Sequence, residues 1–69
     1  IGRADVVVRL ADAVYVFEFK YDGTPDEALV QIDSKQYAIP YQADGRRIVK
    51  IGVNFDSATR TIGEWKIVE

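Results

Sequence analysis

Residues 4–10 (ADVVVRL) and 13–21 (AVYVFEFKY), separated only by Ala11 and Asp12, decide how this chain folds. The first run is β-branched and the second alternates valines with aromatics, so both are predicted strands. The two intervening residues allow a two- or four-residue hairpin loop, although the strongest hairpin pairs, Asn-Gly and Asp-Gly, are absent. Either even-length loop gives one register: Leu10 faces Ala13, Val8 faces Tyr15, Val6 faces Phe17 and Ala4 faces Phe19. That face is wholly apolar. The other face sets Arg3, Asp5, Val7 and Arg9 against Lys20, Glu18, Val16 and Val14, apolar toward the turn and charged toward the open end.

Beyond the hairpin, residues 22–27 (DGTPDE) hold a turn and a helix start, with Thr24 as N-cap, Pro25 at the first helical position, acidic side chains in the first turn, and Glu27 spaced for a capping box. The helix is expected over residues 25 to about 39. Leu29, Ile32 and Ile39, with Gln36 between them, form one stripe, and Ala28, Gln31, Lys35 and Ala38 the neighbouring one. Pro40 disfavours helical backbone at Ile39 and so ends or kinks the helix there, with room for a short second turn through Tyr41. After a loop at Asp44 and Gly45, residues 47–55 (RIVKIGVNF) and 61–68 (TIGEWKIV) are predicted strands joined by the turn-forming DSATR segment. A right-handed helical crossover makes the second and third strands parallel neighbours. The expected fold is α/β: a mixed sheet of order one, two, three, four, its outer strands antiparallel to the parallel inner pair, with one crossover helix. Trp65 and Phe55 are assigned to the core.

The composition narrows the chemistry. The chain has 69 residues with 9 basic and 11 acidic side chains and neither Cys nor His, which excludes thiolate and imidazole catalysis, the usual zinc ligands and disulfides. A net charge of −2 and a pI near 5.0 argue against nucleic-acid binding through bulk positive charge, leaving only local patches. No apolar run reaches membrane-spanning length and no signal-peptide pattern opens the chain, so a cytoplasmic location is expected. Residues 1–69 are taken as one domain. At this size a domain buries only roughly 60% of its unfolded surface, and one helix cannot cover both faces of a four-stranded sheet. With 48% hydrophobic residues, a further helix, a longer parent chain or a homodimer partner is expected. The absent initiator Met fits a fragment or a processed piece.

The hairpin register sets Asp5 opposite Glu18, with Cβ atoms roughly 4.5–5.5 Å apart, and Lys20 next along the same face. Facing carboxylates repel. A fold retains them when one is protonated, when Arg or Lys neutralises them, or when they clamp a hard cation such as Mg²⁺. The alternative is a strand-end salt-bridge cluster in which Arg3 and Lys20 neutralise the pair.

The series Gly2-Arg3-x-Asp5, then Glu18-Phe19-Lys20 closing an apolar strand, then Gln31 in the next helix resembles the PD-(D/E)XK nuclease superfamily. The segments GRADVVV, VYVFEFK, ALVQIDSKQYAIPY and KIGVNFDSATRTIGEWK are similar, over nearly the whole chain, to the nuclease-like C-terminal domain of bacterial AAA-ATPase-like proteins. The resemblance implies a restriction-endonuclease-like core, a metal-dependent nuclease if active, hydrolysing nucleic-acid phosphodiesters, DNA ahead of RNA, with Mg²⁺ or Mn²⁺. Asp5, Glu18 and the Phe19 carbonyl would bind the metal; Lys20 would be the catalytic lysine and Gln31 the helix-borne polar residue at the site. The superfamily's leading helix and first strand have no counterpart upstream of Ile1, so a truncated domain is expected. An alternative from another class is a non-catalytic docking or regulatory module on an AAA-type ATPase. In the recombination-type branch a Tyr follows the helix Gln by four positions; here Lys35 stands there, and Tyr37 is the nearest tyrosine. Arg3, Lys35 and Tyr37 are candidate nucleic-acid contacts: Lys35 either reaches a phosphate or is solvated, and Tyr37, like Tyr41, either stacks on a base or packs in the core. Arg46, Arg47 and Lys50 form either a phosphate-facing edge or solvated strand-end charges.

Overall fold

The alternation of valines and aromatics in Ala13–Tyr21 forms strand β2 over those residues. The structure is a computed structural model, and it describes residues 5–42 and 45–69; the expected Ala4–Phe19 pair, Arg3 and Asp44 lie outside the described residues. Strand β1 (Val6–Arg9) lies antiparallel to β2 in the expected register: Val6 opposite Phe17, Val7 opposite Val16, Val8 opposite Tyr15 and Arg9 opposite Val14. The Leu10 N–H closes the hairpin on the Ala13 carbonyl at 2.8 Å. Strand β3 (Arg47–Asp56) runs parallel to β2, and β4 (Thr61–Val68) antiparallel to β3. The sheet order is therefore β1-β2-β3-β4, with a parallel inner pair.

Helix α1 (Pro25–Ser34) connects the inner strands. Thr24 is extended (φ −133°, ψ 153°) and its Oγ1 accepts the Glu27 N–H at 3.1 Å, satisfying one of the first-turn donors. The helix ends earlier than the expected residue 39. Gln36 takes left-handed backbone (φ 58°); its N–H donates to the Asp33 carbonyl at 3.1 Å, and the Tyr37 N–H donates to the Ile32 carbonyl at 3.0 Å. These bonds form a Schellman cap with Lys35 as C-cap, and the accompanying apolar contact joins Ile32 to Tyr37. Cap chemistry thus stops the helix before Pro40, which instead sits in a short 3₁₀ turn, Ile39–Tyr41. The expected stripe is broken: Gln36 is exposed and Ile39 is 48% exposed, while Tyr37 and Ala38 turn inward.

One face of the sheet is closed and the other is open. Val14 and Val16 of β2 pack with Ile32 and Tyr37 beneath α1. The helix approaches so closely because β3 has Gly52 at the crossing: a Cβ there would collide with the Pro25 carbonyl and lie 3.1 Å from both Ala28 Cβ and Leu29 Cγ. On the opposite face Val49, Ile51 and Val53 meet Tyr15, Phe17 and Phe19. A register shift between Val53 and Phe55 pairs Val53 with Trp65 but Phe55 with Ile62. This bulge sets Ile62 on the same face as Trp65 and Ile67, and these side chains border an apolar groove of about 700 Å³. Trp65 is 63% exposed on this face, correcting its assignment to the core; no second layer lies over it among the described residues. No helix among the described residues is long and apolar enough to cross a membrane.

Two substitutions test this packing. Gly52→Ala is expected to destabilise the domain by about 3 kcal/mol, because the collision is with backbone that cannot rotate away. Gln36→Gly is expected to stabilise it by about 0.5–1 kcal/mol by relieving left-handed strain. Urea midpoints of the two variants against wild type measure both effects.

Candidate active site

The alternation that sends Val14 and Val16 into the helix-side core continues to Glu18, so β2 carries a carboxylate into that interface. Glu18 is only 4% exposed. From α1, Gln31 Nε2 donates to Glu18 Oε2 at 2.5 Å, while Gln31 Oε1 accepts from Lys20 Nζ. The single amide therefore stands between the carboxylate and the ammonium, facing each with the matching end of its dipole. Gln31 Nε2 also donates to the Tyr37 hydroxyl at 3.3 Å. Asp5 lies just before β1, where its Oδ2 accepts the Phe19 N–H at 2.9 Å. Glu18 Oε1 is buried and has no hydrogen-bond partner among the described residues.

Burial pushes the Glu18 carboxyl above its ordinary value, and the neighbouring Asp5 charge pushes it the same way; the Asp5 backbone amide and Lys20 pull it partly back. A carboxylate held in this state gains from a cation more than a solvated one does, because the cation restores lost solvation and removes the repulsion.

The structure brings Asp5, Glu18, Lys20 and Gln31 to one end of the helix-side face, with Phe19 joined to Asp5 through its backbone N–H while its ring packs on the opposite face. Arg3 lies outside the described residues. Lys35 is exposed at the helix C-cap. The Tyr37 ring is buried beneath α1, so the packing alternative describes it and base stacking does not. Its hydroxyl reaches Gln31 because the Schellman cap reverses the chain there, which a helix continuing to residue 39 would not do. Arg46 donates to the Leu10 carbonyl at 3.1 Å, Arg47 pairs with Glu69 at 3.0 Å, and Lys50 pairs with Asp33 at 2.7 Å. Sequence reasoning passed over Gly52, whose position inside a strand signals close backbone approach. It also passed over a latch just past the C-terminal end of β2. There Asp22 (φ 54°) accepts the Ser57 N–H at 3.0 Å and the Ser57 hydroxyl at 2.5 Å, and Asn54 Oδ1 accepts the Gly23 N–H at 2.8 Å.

A sequence profile of the PD-(D/E)XK nuclease superfamily matches residues 1–65. The chain belongs to this superfamily. It is also 41% identical over 63 residues to a protein of Azotobacter chroococcum mcd 1 described as an uncharacterized protein in the vnfD 5′ region. That match covers 88% of this chain and 12% of the relative's length. No solved structure matches the chain closely enough to be informative.

PD-(D/E)XK nucleases generally use divalent metals, and the residues present fit one. Among the described residues no cluster of three or more His, Cys, Asp or Glu side chains forms. The carboxylate donors there are Asp5 and Glu18, with a buried Glu18 oxygen that has no hydrogen-bond partner among the described residues. Two carboxylates suit a hard cation that keeps several of its waters.

The raised Glu18 pKa fixes the sign of a pH effect. In metal-free buffer the folded chain holds the Glu18 proton more tightly than the unfolded chain does. Stability from this group is therefore full below the ordinary value near 4.5 and is lost as pH rises through the folded value. Glu18→Gln is expected to flatten that limb and to raise stability at pH 7 by about 1 kcal/mol. Urea denaturation in EDTA between pH 4 and pH 8 measures it; a variant less stable than wild type at pH 7 contradicts the assignment.

Proposed function

We propose that this domain hydrolyses nucleic-acid phosphodiesters, DNA ahead of RNA, with Mg²⁺ or Mn²⁺ held by Asp5, Glu18 and the Phe19 carbonyl. The observation that supports this most directly is the buried Glu18 beside Asp5, with Lys20 presented by Gln31. When bound, the metal supplies Lewis-acid polarisation of the phosphoryl group and lowers the pKa of a coordinated water. Lys20 holds a positive charge next to that position, where it orients the attacking water and offsets charge developing on the phosphate. Gln31 keeps the lysine from collapsing directly onto Glu18, and the Tyr37 hydroxyl helps fix which way the Gln31 amide points.

In the full-length protein, Glu18→Ala and Lys20→Ala are each expected to lower cleavage of DNA at least about a hundredfold, and EDTA to abolish it. Cleavage that persists in either variant or in EDTA removes the catalytic assignment. Mg²⁺ or Mn²⁺ is also expected to raise wild-type stability by about 2.7 kcal/mol at a concentration a hundred times its dissociation constant, and to leave Glu18→Ala unchanged.

A second reading rests on the uncovered apolar face around Trp65 and Ile67: a docking module for an AAA-ATPase-like domain in the parent chain, or for a second copy. Light scattering of the isolated domain separates these, since a homodimer doubles the mass and docking within the parent chain does not.

A further inference from the structure

Several cations of this acidic chain are already engaged by its own groups among the described residues. Lys50 is paired with Asp33, Lys66 with Asp26 at 2.9 Å and Arg47 with Glu69, while Lys20 is bound to Gln31. Arg9 differs. It is exposed, makes no ion pair with a carboxylate of the described residues, and holds its guanidinium carbon 5.2 Å from the centroid of the Tyr41 ring. Tyr41 itself packs against the helix-side core, so the platform beneath Arg9 is anchored.

The position of Arg9 relative to the carboxylates follows from the register. Strand alternation puts Arg9 on the face of Val7, which packs with Val14, Val16 and Ile32, and therefore on the face that carries Glu18 and Lys20. Arg9 pairs with Val14, four residues before Glu18 along β2. At strand rise this is a backbone offset of roughly 13 Å along the sheet, about four axial rises of a nucleic-acid strand. β1 is an edge strand, so the line between Asp5 and Arg9 runs along the rim of the sheet.

We propose that Arg9, held over the Tyr41 ring, binds a backbone phosphate of the nucleic acid flanking the candidate cleavage site; the proposal rests on the nuclease reading. With a net charge of −2 the chain has no bulk attraction for phosphate, so affinity must come from cations that its own carboxylates have not neutralised. Arg9 is such a cation on the site's own face. Contact with the Tyr41 ring restricts the guanidinium in advance, which leaves less entropy to lose when its N–H groups close on phosphate oxygens.

The test uses the full-length protein with fluorescently labelled duplex and single-stranded DNA in EDTA, reading affinity by anisotropy as salt is raised. Arg9→Gln is expected to weaken binding about tenfold at low salt and to reduce the salt slope by about 0.9 for duplex or 0.7 for single strands, the loss of one phosphate contact. Arg9→Lys, which keeps the charge, is expected to keep the slope. With metal present, Arg9→Gln is expected to raise KM and leave kcat unchanged. Unchanged affinity and slope in Arg9→Gln overturn the proposal, as does a slope lost equally in Arg9→Lys. If DNA binding depends on Arg9 in this way but Lys20→Ala cleaves like wild type, the nuclease reading fails while the phosphate contact stands; if wild type binds no DNA, both fail.

Discussion

A carboxylate is buried between a sheet and its covering helix, and the site is arranged around that fact. An isolated ionised Glu18 in this position is costly. Gln31 meets part of the cost from the other side of the interface, and the same amide carries the effect to Lys20 through its opposite end. An amide suits this place because it donates to the carboxylate and accepts from the ammonium at once, which neither a second acid nor a second base does. The compensation is incomplete: Glu18 Oε1 has no hydrogen-bond partner among the described residues and Asp5 adds repulsion. A site left short of positive charge in this way favours a cation.

Three devices away from the chemistry hold that geometry. Gly52, the β3 partner of Glu18, lets α1 come near enough for the Gln31 side chain to reach the carboxylate. The Schellman cap at Gln36 turns the chain so that Tyr37 fills the core beneath α1 and presents its hydroxyl to Gln31. The Asp22–Ser57 latch fastens the end of β2, two residues past Lys20, to the β3–β4 turn. The Ser57 hydroxyl and N–H hold the Asp22 carboxyl below its usual range, so the latch's stabilisation is present above the ordinary carboxylate value and is lost as pH falls through the lowered one. Its pH dependence is opposite in sign to that of Glu18.

The sheet was legible from local pattern. Strand periodicity and the two-residue gap at Ala11 and Asp12 determine the hairpin register, and register alone brings Asp5 beside the Glu18 strand end. The helix C-terminus was not legible in the same way. Gln36 is an uncommon residue for left-handed backbone, and Pro40 downstream offered a stronger stop signal. The Tyr37 contact with Gln31 depends on that cap and so could not be read from helical spacing. Trp65 was misplaced for another reason: large aromatics are usually well buried, but here the layer that would bury this one is not among the described residues.

The two faces divide the work of the sheet, and β2 belongs to both. Val14, Val16 and Glu18 point toward α1, and the alternating Tyr15 and Phe17 line the open groove. Whatever covers the groove need not touch Glu18, Lys20 or Gln31, because the sheet lies between. It would still pack against side chains one residue away from each Glu18-side position.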